Sequence, residues 1–223
     1  MNYLAIIQAR LNSKRLKKKV IKKIYKNLDT LDIIISKLKK IREIDKIIIA
    51  TGSKNHNIDL IKKKKYCNIF FGSDVNVKSR YIFLIKKYKP KYVLRITADN
   101  PLLDISLIKK LISCSKKNKK FKYIKFLDSH INYGSGCELF ESSYFLKHQK
   151  NSNFSKEHVT PDLFNKKYSR KLKYDSKNFI PVKVTIDNYD DLNFVRYLYK
   201  KIDNPNNNKI NVYFKKMIAK YCY

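Results

Sequence analysis

The sequence predicts an α/β fold, a doubly wound and mainly parallel sheet flanked by helices. Short apolar runs at residues 3–8, 46–51 and 92–97 have the length of strands that are covered on both faces. Between them, apolar residues such as Leu31, Ile34 and Leu38 recur at helical spacing. Strand and helix therefore alternate over the first hundred residues, which is the pattern of a parallel sheet.

The remaining elements follow in chain order. A helix is expected to begin at Asp29 or Thr30, because either side chain can cap its first turn. Further strands are expected at residues 68–71 and 181–186, and further helices around residues 58–61, 75–88, 106–115, 155–164, 190–200 and 212–221.

The least regular stretch is residues 123–145, which Gly134 and Gly136 interrupt. It indicates either a strand pair or a projecting loop. At 223 residues the chain has the length of one large domain, so a single domain over residues 1–223 is expected. Within it we expect a small projecting segment at about residues 121–150 and a C-terminal helix at about residues 210–223.

The formal net charge of +33 would ordinarily favour nucleic acid or an anionic membrane surface as a partner. The cations, however, are 44 lysines and seven arginines, accompanied by many Ile, Asn, Tyr and Phe residues. An A/T-biased coding sequence produces this composition and adds lysine to every solvated face without selecting a partner. We therefore expect no specific nucleic-acid partner, and expect the remaining arginines where their planar fork is needed.

The cysteines and the apolar runs bear on other classes of protein. Cys67, Cys114, Cys137 and Cys222 are far apart and form no Cys-x-x-Cys, so neither a zinc site nor a disulfide framework is predicted. No apolar run approaches the roughly 20 residues of a membrane helix, and the first residues lack the basic start and length of a signal peptide. We expect a cytoplasmic protein with reduced thiols and no membrane association.

The loop after the first strand concentrates cationic donors. Residues 9–19 contain the guanidiniums of Arg10 and Arg15, the Ser13 hydroxyl and several lysines that include Lys19. Phosphate oxygens bind such donors, and an arginine fork can hold two of them at once. The loop therefore predicts a phosphate-binding site, with a merely solvated basic loop as the alternative.

Two aspartates stand at equivalent places in the predicted sheet. Asp99 follows the strand that ends at Thr97, and Asp187 follows the strand predicted to end at Ile186. Ligands of open α/β sheets bind beyond the carboxyl ends of the strands, so both carboxylates could face one crevice together with the basic loop. Paired acids opposite phosphate-binding cations suit a magnesium nucleotide. The alternative for either residue is a helix N-cap.

Seven sequence blocks stand out between residue 6 and about residue 200. They are Ile6-Ile-Gln-Ala-Arg-Leu-Asn-Ser-Lys-Arg-Leu-Lys-Lys-Lys-Val20, Ile49-Ala-Thr51, Phe71-Gly-Ser-Asp74 with Arg80-Tyr81, Arg95-Ile-Thr-Ala-Asp-Asn-Pro-Leu-Leu-Asp104, Gly134-Ser-Gly-Cys-Glu138, Glu157-His-Val-Thr-Pro161, and Thr185-Ile-Asp187 with Asp190-Asp-Leu192. In this order they resemble the CMP-sugar synthetases, the cytidylyltransferase family that includes the spore-coat-polysaccharide, acylneuraminate and deoxy-octulosonate types. The spore-coat type is the most similar of these.

The resemblance implies a Rossmann-like nucleotide-diphospho-sugar transferase fold. It also implies transfer of CMP from CTP to an acidic sugar, nonulosonic or keto-deoxy, with release of pyrophosphate for surface-glycan synthesis. Mg²⁺ is the implied cofactor, CTP and the sugar are the implied partners, and a homodimer is an open expectation. The implied residues are Arg10, Arg15, Lys19 and Asp99 for catalysis; Ser13, Ala50, Thr51, Gly72, Ser73 and Arg80 for the nucleotide; Arg95, Glu138 and His158 for the sugar; and Asp99 and Asp187 for the metal.

The loop departs from the family pattern at two places. Asn12 stands where the family usually has glycine, and Lys17-Lys18 stand where it usually has Pro-Gly, residues that let a backbone turn tightly. Three alternatives stay open: a related transferase that uses another nucleotide, a relative that binds without turnover, and a basic nucleic-acid-binding protein. Glu138 and His158 can equally be structural residues.

Overall fold

Strand β1 (Tyr3–Gln8) is an interior strand of a seven-stranded sheet. The computed structural model describes residues 1–13, 15–64, 66–148, 153–174 and 179–221, with the backbone alone for residues 61–63, 153–155 and 221. The other strands of the described chain are β2 (Lys23–Tyr25), β3 (Leu28–Asp29), β4 (Ile44–Thr51), β5 (Asn68–Phe71), β6 (Tyr92–Thr97), β7 (Tyr123–Phe126), β8 (Glu138–Glu141) and β9 (Ser169–Leu172). The sheet has the order β5-β4-β1-β6-β8-β7-β9, and β2 and β3 form a separate hairpin.

Most neighbouring strands run parallel. β1 is parallel to β4 and β6, β4 to β5, and β7 to β9, whereas β8 is antiparallel to both of its neighbours. The predicted mainly parallel α/β sheet is confirmed. Of the two alternatives for residues 123–145, the strand pair is the one found, since β7 and β8 are adjacent in the sheet.

Helices flank the sheet, and several of them begin at a polar side chain that caps the first turn. They are α1 (Thr30–Leu38), α2 (Ile58–Lys63), α3 (Val77–Tyr88), α4 (Ile105–Lys117), α5 (Ser142–Lys147), α6 (Asn153–His158), α7 (Tyr189–Lys201) and α8 (Asn207–Tyr221). Asp29 caps α1 as predicted, by accepting from the backbone of Asp32, whose side chain accepts from the Asp29 backbone in return. None of the described helices is both long and apolar enough to cross a lipid bilayer.

The core lies on both faces of the sheet around β1. Along β1, Leu4 and Ile6 pack into one buried cluster, and Ala5 and Ile7 pack into the other. This alternation explains why β1 is a continuous apolar run. A third cluster joins α7 to the segment before Asp187, and this packing sets where that aspartate lies.

Two predicted elements differ in the structure. The helix expected at residues 155–164 ends at His158, because Val159 adopts a left-handed backbone conformation with φ of +57°. The strand expected at residues 181–186 is wrong: the segment makes an isolated bridge between Lys183 and Tyr133 and does not join the sheet. Its apolar side chains Val184 and Ile186 are nevertheless fully buried, since they pack against α7.

Candidate active site

The basic loop turns back on itself directly after β1. Leu11 accepts a backbone hydrogen bond from Lys18 (2.9 Å), and the Leu11 N–H donates to the Asn57 side chain (3.1 Å). Lys18 has a left-handed backbone with φ of 56°, at the position where the family pattern has glycine. The next residue, Lys19, begins a short 3-10 turn that directs its side chain into the protein, where it is largely buried.

Lys19 joins the two predicted aspartates. Its Nζ atom donates to Oδ2 of Asp99 (2.8 Å) and to the carbonyl oxygen of Ile186 (2.7 Å), and lies 3.5 Å from Oδ1 of Asp187. The Nη2 atom of Arg15 donates to the same Asp187 oxygen at 3.0 Å. The basic loop and the two aspartates, which are far apart in the sequence, therefore meet at one place.

The surroundings of Asp187 favour its ionised form. Burial acts to raise the pKa of this carboxyl, but the hydrogen bond from Lys183 and the charges of Lys19 and Arg15 outweigh burial, so its pKa lies below the ordinary aspartate value. Asp187 is therefore an anion surrounded by three cations.

A cavity of about 630 Å³ opens over this cluster and is called the basic cavity below. Among the predicted residues, it is lined by Arg10, Ser13, Arg15, Lys19, Arg80, Asp99 and Asp187. It is also lined by Gln8, Asn12 and Glu157, to which the sequence analysis assigned no role. Glu157 lies 3.9 Å from the Arg10 guanidinium, and both side chains are exposed.

Arg80 supports the wall of the basic cavity from within the protein. Its guanidinium is buried and donates through Nε (2.8 Å) and Nη2 (2.6 Å) to the carbonyl oxygen of Ser73, and through Nη1 to that of Ala50 (3.5 Å). Gly72 donates to the carbonyl oxygen of Thr51 (3.0 Å). These residues, which were predicted to bind the nucleotide, thus connect the ends of β4 and β5 through hydrogen bonds. Of these residues, Arg80 lines the basic cavity. The described lining residues of that cavity do not include Ala50, Thr51, Gly72 or Ser73.

Asn57 is a positioning residue that the sequence analysis missed. Its Oδ1 atom accepts from the Leu11 N–H and from the Thr51 hydroxyl (2.9 Å), and its amide donates to Ser53 (2.9 Å). It therefore fixes the basic loop against the end of β4. An asparagine next to a helix start reads as a cap in the sequence, so nothing there points to this contact.

A second cavity, of about 400 Å³, lies on the other side of the two aspartates and is called the second cavity below. The two cavities share Thr97, Asp99 and Asp187. The predicted sugar residues Arg95 and Glu138 line the second cavity and form an ion pair, with Nη1 and Oε2 3.0 Å apart. His158, the third residue predicted to contact the sugar, is exposed at the end of α6. It is not among the described residues that line either cavity.

The oxygen ligands at Asp99 and Asp187, where the two cavities meet, suit a hard divalent cation. The carboxylates of Asp99 and Asp187 already converge on one cation, the ammonium of Lys19, and both remain partly accessible from the cavities. Mg²⁺ commonly takes one or two carboxylates from a protein, and substrate phosphates complete its shell. Within the described ranges, no group of three or more His, Cys, Asp and Glu side chains is arranged to hold a metal without such a substrate.

The fold matches solved nucleotide-transferring enzymes. A cytidylyltransferase from Leptospira borgpetersenii superposes with a TM-score of 0.80 at 21% identity, covering 99% of this chain and 94% of that chain. A CMP:2-keto-3-deoxy-manno-octonic acid synthetase complexed with CTP superposes with a TM-score of 0.68 at 10% identity, covering 90% of this chain and 99% of that chain. At these identities the likeness concerns the fold, which is that of the nucleotidyltransferases.

Sequence comparisons identify the family within this class of fold. The family model described as Cytidylyltransferase matches residues 4–213, and the chain belongs to this family of CMP-sugar synthetase type, as the sequence blocks predicted. The uncharacterised protein MJ1063 of Methanocaldococcus jannaschii is 33% identical over 211 residues, which cover 91% of this chain and 85% of that protein. The spore coat polysaccharide biosynthesis protein SpsF of Bacillus subtilis is 33% identical over 116 residues, covering 49% of this chain and 48% of that protein.

Proposed function

We propose that the protein transfers CMP from CTP to a hydroxyl group of an acidic sugar, nonulosonic or keto-deoxy, and releases pyrophosphate. One observation carries the proposal: the basic cavity and the second cavity meet at Asp99 and Asp187. A triphosphate in the first and a sugar in the second would bring their reacting atoms to the same two carboxylates. Membership of the cytidylyltransferase family supports CTP as the donor.

The basic loop supplies the groups that would hold the triphosphate. Arg10, Arg15 and Lys19 carry positive charge into the basic cavity, and the Ser13 hydroxyl adds a neutral donor. Fixed cations of this kind stabilise the charge that develops on the α-phosphate as the sugar oxygen attacks and pyrophosphate leaves. The main task of the protein is therefore to position the substrates and neutralise charge, and no covalent nucleophile is needed.

Asp99 and Asp187 are the residues we propose as ligands of Mg²⁺. When bound, Mg²⁺ would supply charge neutralisation at the phosphate oxygens. The low pKa of Asp187 supports this role, because the carboxylate is already deprotonated and needs no proton release on binding.

The lining of the second cavity supports an acidic acceptor. Arg95 and Lys125 line this cavity together with their ion-pair partners Glu138 and Asp128. A guanidinium has five N–H donors and can also hold a substrate carboxylate in a bidentate manner. The B. subtilis relative is named for spore coat polysaccharide biosynthesis, which supports surface-glycan synthesis as the role of this chain. A homodimer and a cytoplasmic location remain predictions of the sequence.

The test is release of pyrophosphate from CTP, UTP, ATP and GTP in parallel, with and without Mg²⁺. Each nucleotide is offered with 2-keto-3-deoxy-manno-octonic acid, N-acetylneuraminic acid and neutral hexoses. We expect release that requires CTP, Mg²⁺ and a sugar acid together. Release with another nucleotide would identify a related transferase, and release with neutral sugars alone would overturn the acidic acceptor. No release, with salt-sensitive retention of an oligonucleotide instead, would favour the nucleic-acid alternative.

A further inference from the structure

A strained turn at Val159 lies between Glu157, which lines the basic cavity, and Thr160, whose hydrogen-bond partner Glu138 lines the second cavity. Val159 is fully buried and has φ of +57°, a conformation that β-branched residues rarely adopt. The Thr160 N–H donates to the carbonyl oxygen of His158 at 2.6 Å, which closes a three-residue turn of the strained type. Such strain persists only where the surrounding structure holds it, and it is concentrated at functional sites.

The surroundings of this turn hold it firmly. The Val159 side chain packs into a buried cluster with Tyr81 and Leu163. Directly after the turn, the carboxylate of Asp162 forms an ion pair with Lys78 of α3 (2.5 Å), and both side chains are largely buried. The turn is therefore held at Val159 itself and directly after it, which allows the strained backbone to persist.

The flanks of the turn show what it positions. On one side, Glu157 lines the basic cavity next to Arg10. On the other side, the Thr160 hydroxyl donates to Oε2 of Glu138 in the second cavity (2.9 Å). A helix continuing through Val159, as the sequence predicted, would have a different backbone path and would carry Thr160 elsewhere.

Glu138 accepts hydrogen bonds on both of its carboxylate oxygen atoms. Arg95 and Thr160 donate to Oε2, and the Tyr123 hydroxyl donates to Oε1 (2.8 Å). Burial, followed by the charge of Glu138 and this hydrogen bond, raises the pKa of Tyr123, so the phenol keeps its proton and stays a donor. The carboxylate is thus held from β6, β7 and the turn, and Glu138 in turn holds the Arg95 guanidinium at the wall of the second cavity.

We infer that Thr160 is a positioning residue for the acceptor: through Glu138 it orients the Arg95 guanidinium that receives the sugar carboxylate. The inference rests on the proposed function and deepens it, because it names a residue that sets acceptor affinity without touching CTP or the reacting atoms. A guanidinium held in one orientation binds a carboxylate without first losing side-chain freedom.

The test compares Thr160→Val, which keeps the shape and removes the hydroxyl, with Thr160→Ser, which keeps the hydroxyl. The acceptor is the sugar acid that gives the highest wild-type rate in the pyrophosphate assay. In Thr160→Val we expect the KM for the sugar acid to rise about tenfold, as for loss of a hydrogen bond to a charged group, with the KM for CTP unchanged. Thr160→Ser should restore the sugar KM to near the wild-type value.

Two kinetic results would overturn the inference. One is a wild-type sugar KM in Thr160→Val. The other is a parallel rise of the KM for CTP and the KM for the sugar together with a lower Tm, because that pattern belongs to a residue with a structural role alone.

A structural measurement separates this inference from the proposed function. If the wild-type protein releases no pyrophosphate with any sugar acid, the proposed function fails, and crystal structures of the two variants decide on positioning. We expect Arg95 or Glu138 in a different rotamer in Thr160→Val, and the wild-type separation of 3.0 Å in Thr160→Ser. An unchanged Arg95–Glu138 pair in Thr160→Val would overturn the positioning role of Thr160.

Discussion

The backbone N–H of Ile186 donates a hydrogen bond to the carbonyl oxygen of Asp99 (2.9 Å), which joins two distant parts of the chain. The Ile186 side chain is fully buried against α7, so the packing of this helix holds the segment at the end of β6. Asp187 follows directly and comes within 3.0 Å of Arg15. Asp187 therefore reaches the site through helix packing and one backbone hydrogen bond, without belonging to a strand of the sheet.

Asp99→Asn should lower CTP-dependent pyrophosphate release by at least about 100-fold, because a neutral amide is a poor ligand for Mg²⁺. The fold should persist, since the amide oxygen can still accept from Lys19. The measurement is kcat together with Tm. The matched control is Asp203→Asn, an exposed aspartate outside both cavities, which should retain wild-type activity. Full activity in Asp99→Asn would remove Asp99 from the proposed metal site.

Arg15→Lys should raise the KM for CTP about tenfold, since a lysine ammonium cannot reproduce the planar fork toward phosphate oxygens and Asp187. The charge is conserved, so a purely electrostatic role would leave the KM nearly unchanged. Arg42→Lys makes the same exchange at an exposed position outside both cavities and should have no effect. An unchanged KM in Arg15→Lys would contradict bidentate binding by Arg15 and would leave a role of its charge alone or a merely solvated loop.

Lys18→Gly should be more stable than Lys18→Ala by about 1 kcal/mol, because the left-handed backbone at φ of 56° is costly for a residue with a Cβ atom. Both variants lose the ion pair between Lys18 and Asp59, so the comparison isolates the backbone. The measurement is the free energy of unfolding in urea. The reverse order of stability would contradict the left-handed conformation at this position.

The stability of the protein should depend on the charge of Asp187. Because its pKa is lowered in the folded protein, Asp187 stabilises the fold above the ordinary aspartate pKa of about 3.9, and this contribution is lost as pH falls through the lower folded value. Asp187→Asn should therefore reduce the free energy of unfolding at neutral pH, and the difference from wild type should shrink below about pH 4. Urea denaturation across this range provides the measurement. A difference that stays constant with pH would contradict the lowered pKa.

The centre of the fold could be predicted because its strands are buried on both faces. β1 and β6 have the predicted bounds, since a strand covered on both sides is a continuous apolar run. β5 also has the predicted bounds, although it lies at an edge of the sheet and is only partly buried, because its sequence Asn68-Ile-Phe-Phe71 is mostly apolar. β9 could not be predicted, because it is an edge strand with the polar sequence Ser169-Arg-Lys-Leu172. The predicted strand at residues 181–186 has the alternation of a buried strand, but a helix covers its apolar side chains.

The site was predictable where one loop or one strand end carries the chemistry. Arg15 and Lys19 lie in the loop after β1, Asp99 lies just after β6, and the geometry brings them to one cavity. The contact between Thr160 and Glu138 was not predictable, because it depends on a left-handed valine that ends a helix early. The positive φ of Val159 has no signature in the sequence, since glycine or asparagine would ordinarily stand there.

The most direct test of the proposed site is a crystal structure of the protein with CTP and Mg²⁺. We expect the triphosphate in the basic cavity, contacted by Arg15 and Lys19, with Mg²⁺ at about 2.1 Å from carboxylate oxygens of Asp99 and Asp187. A triphosphate bound outside the basic cavity, or a metal ion that contacts neither aspartate, would contradict it.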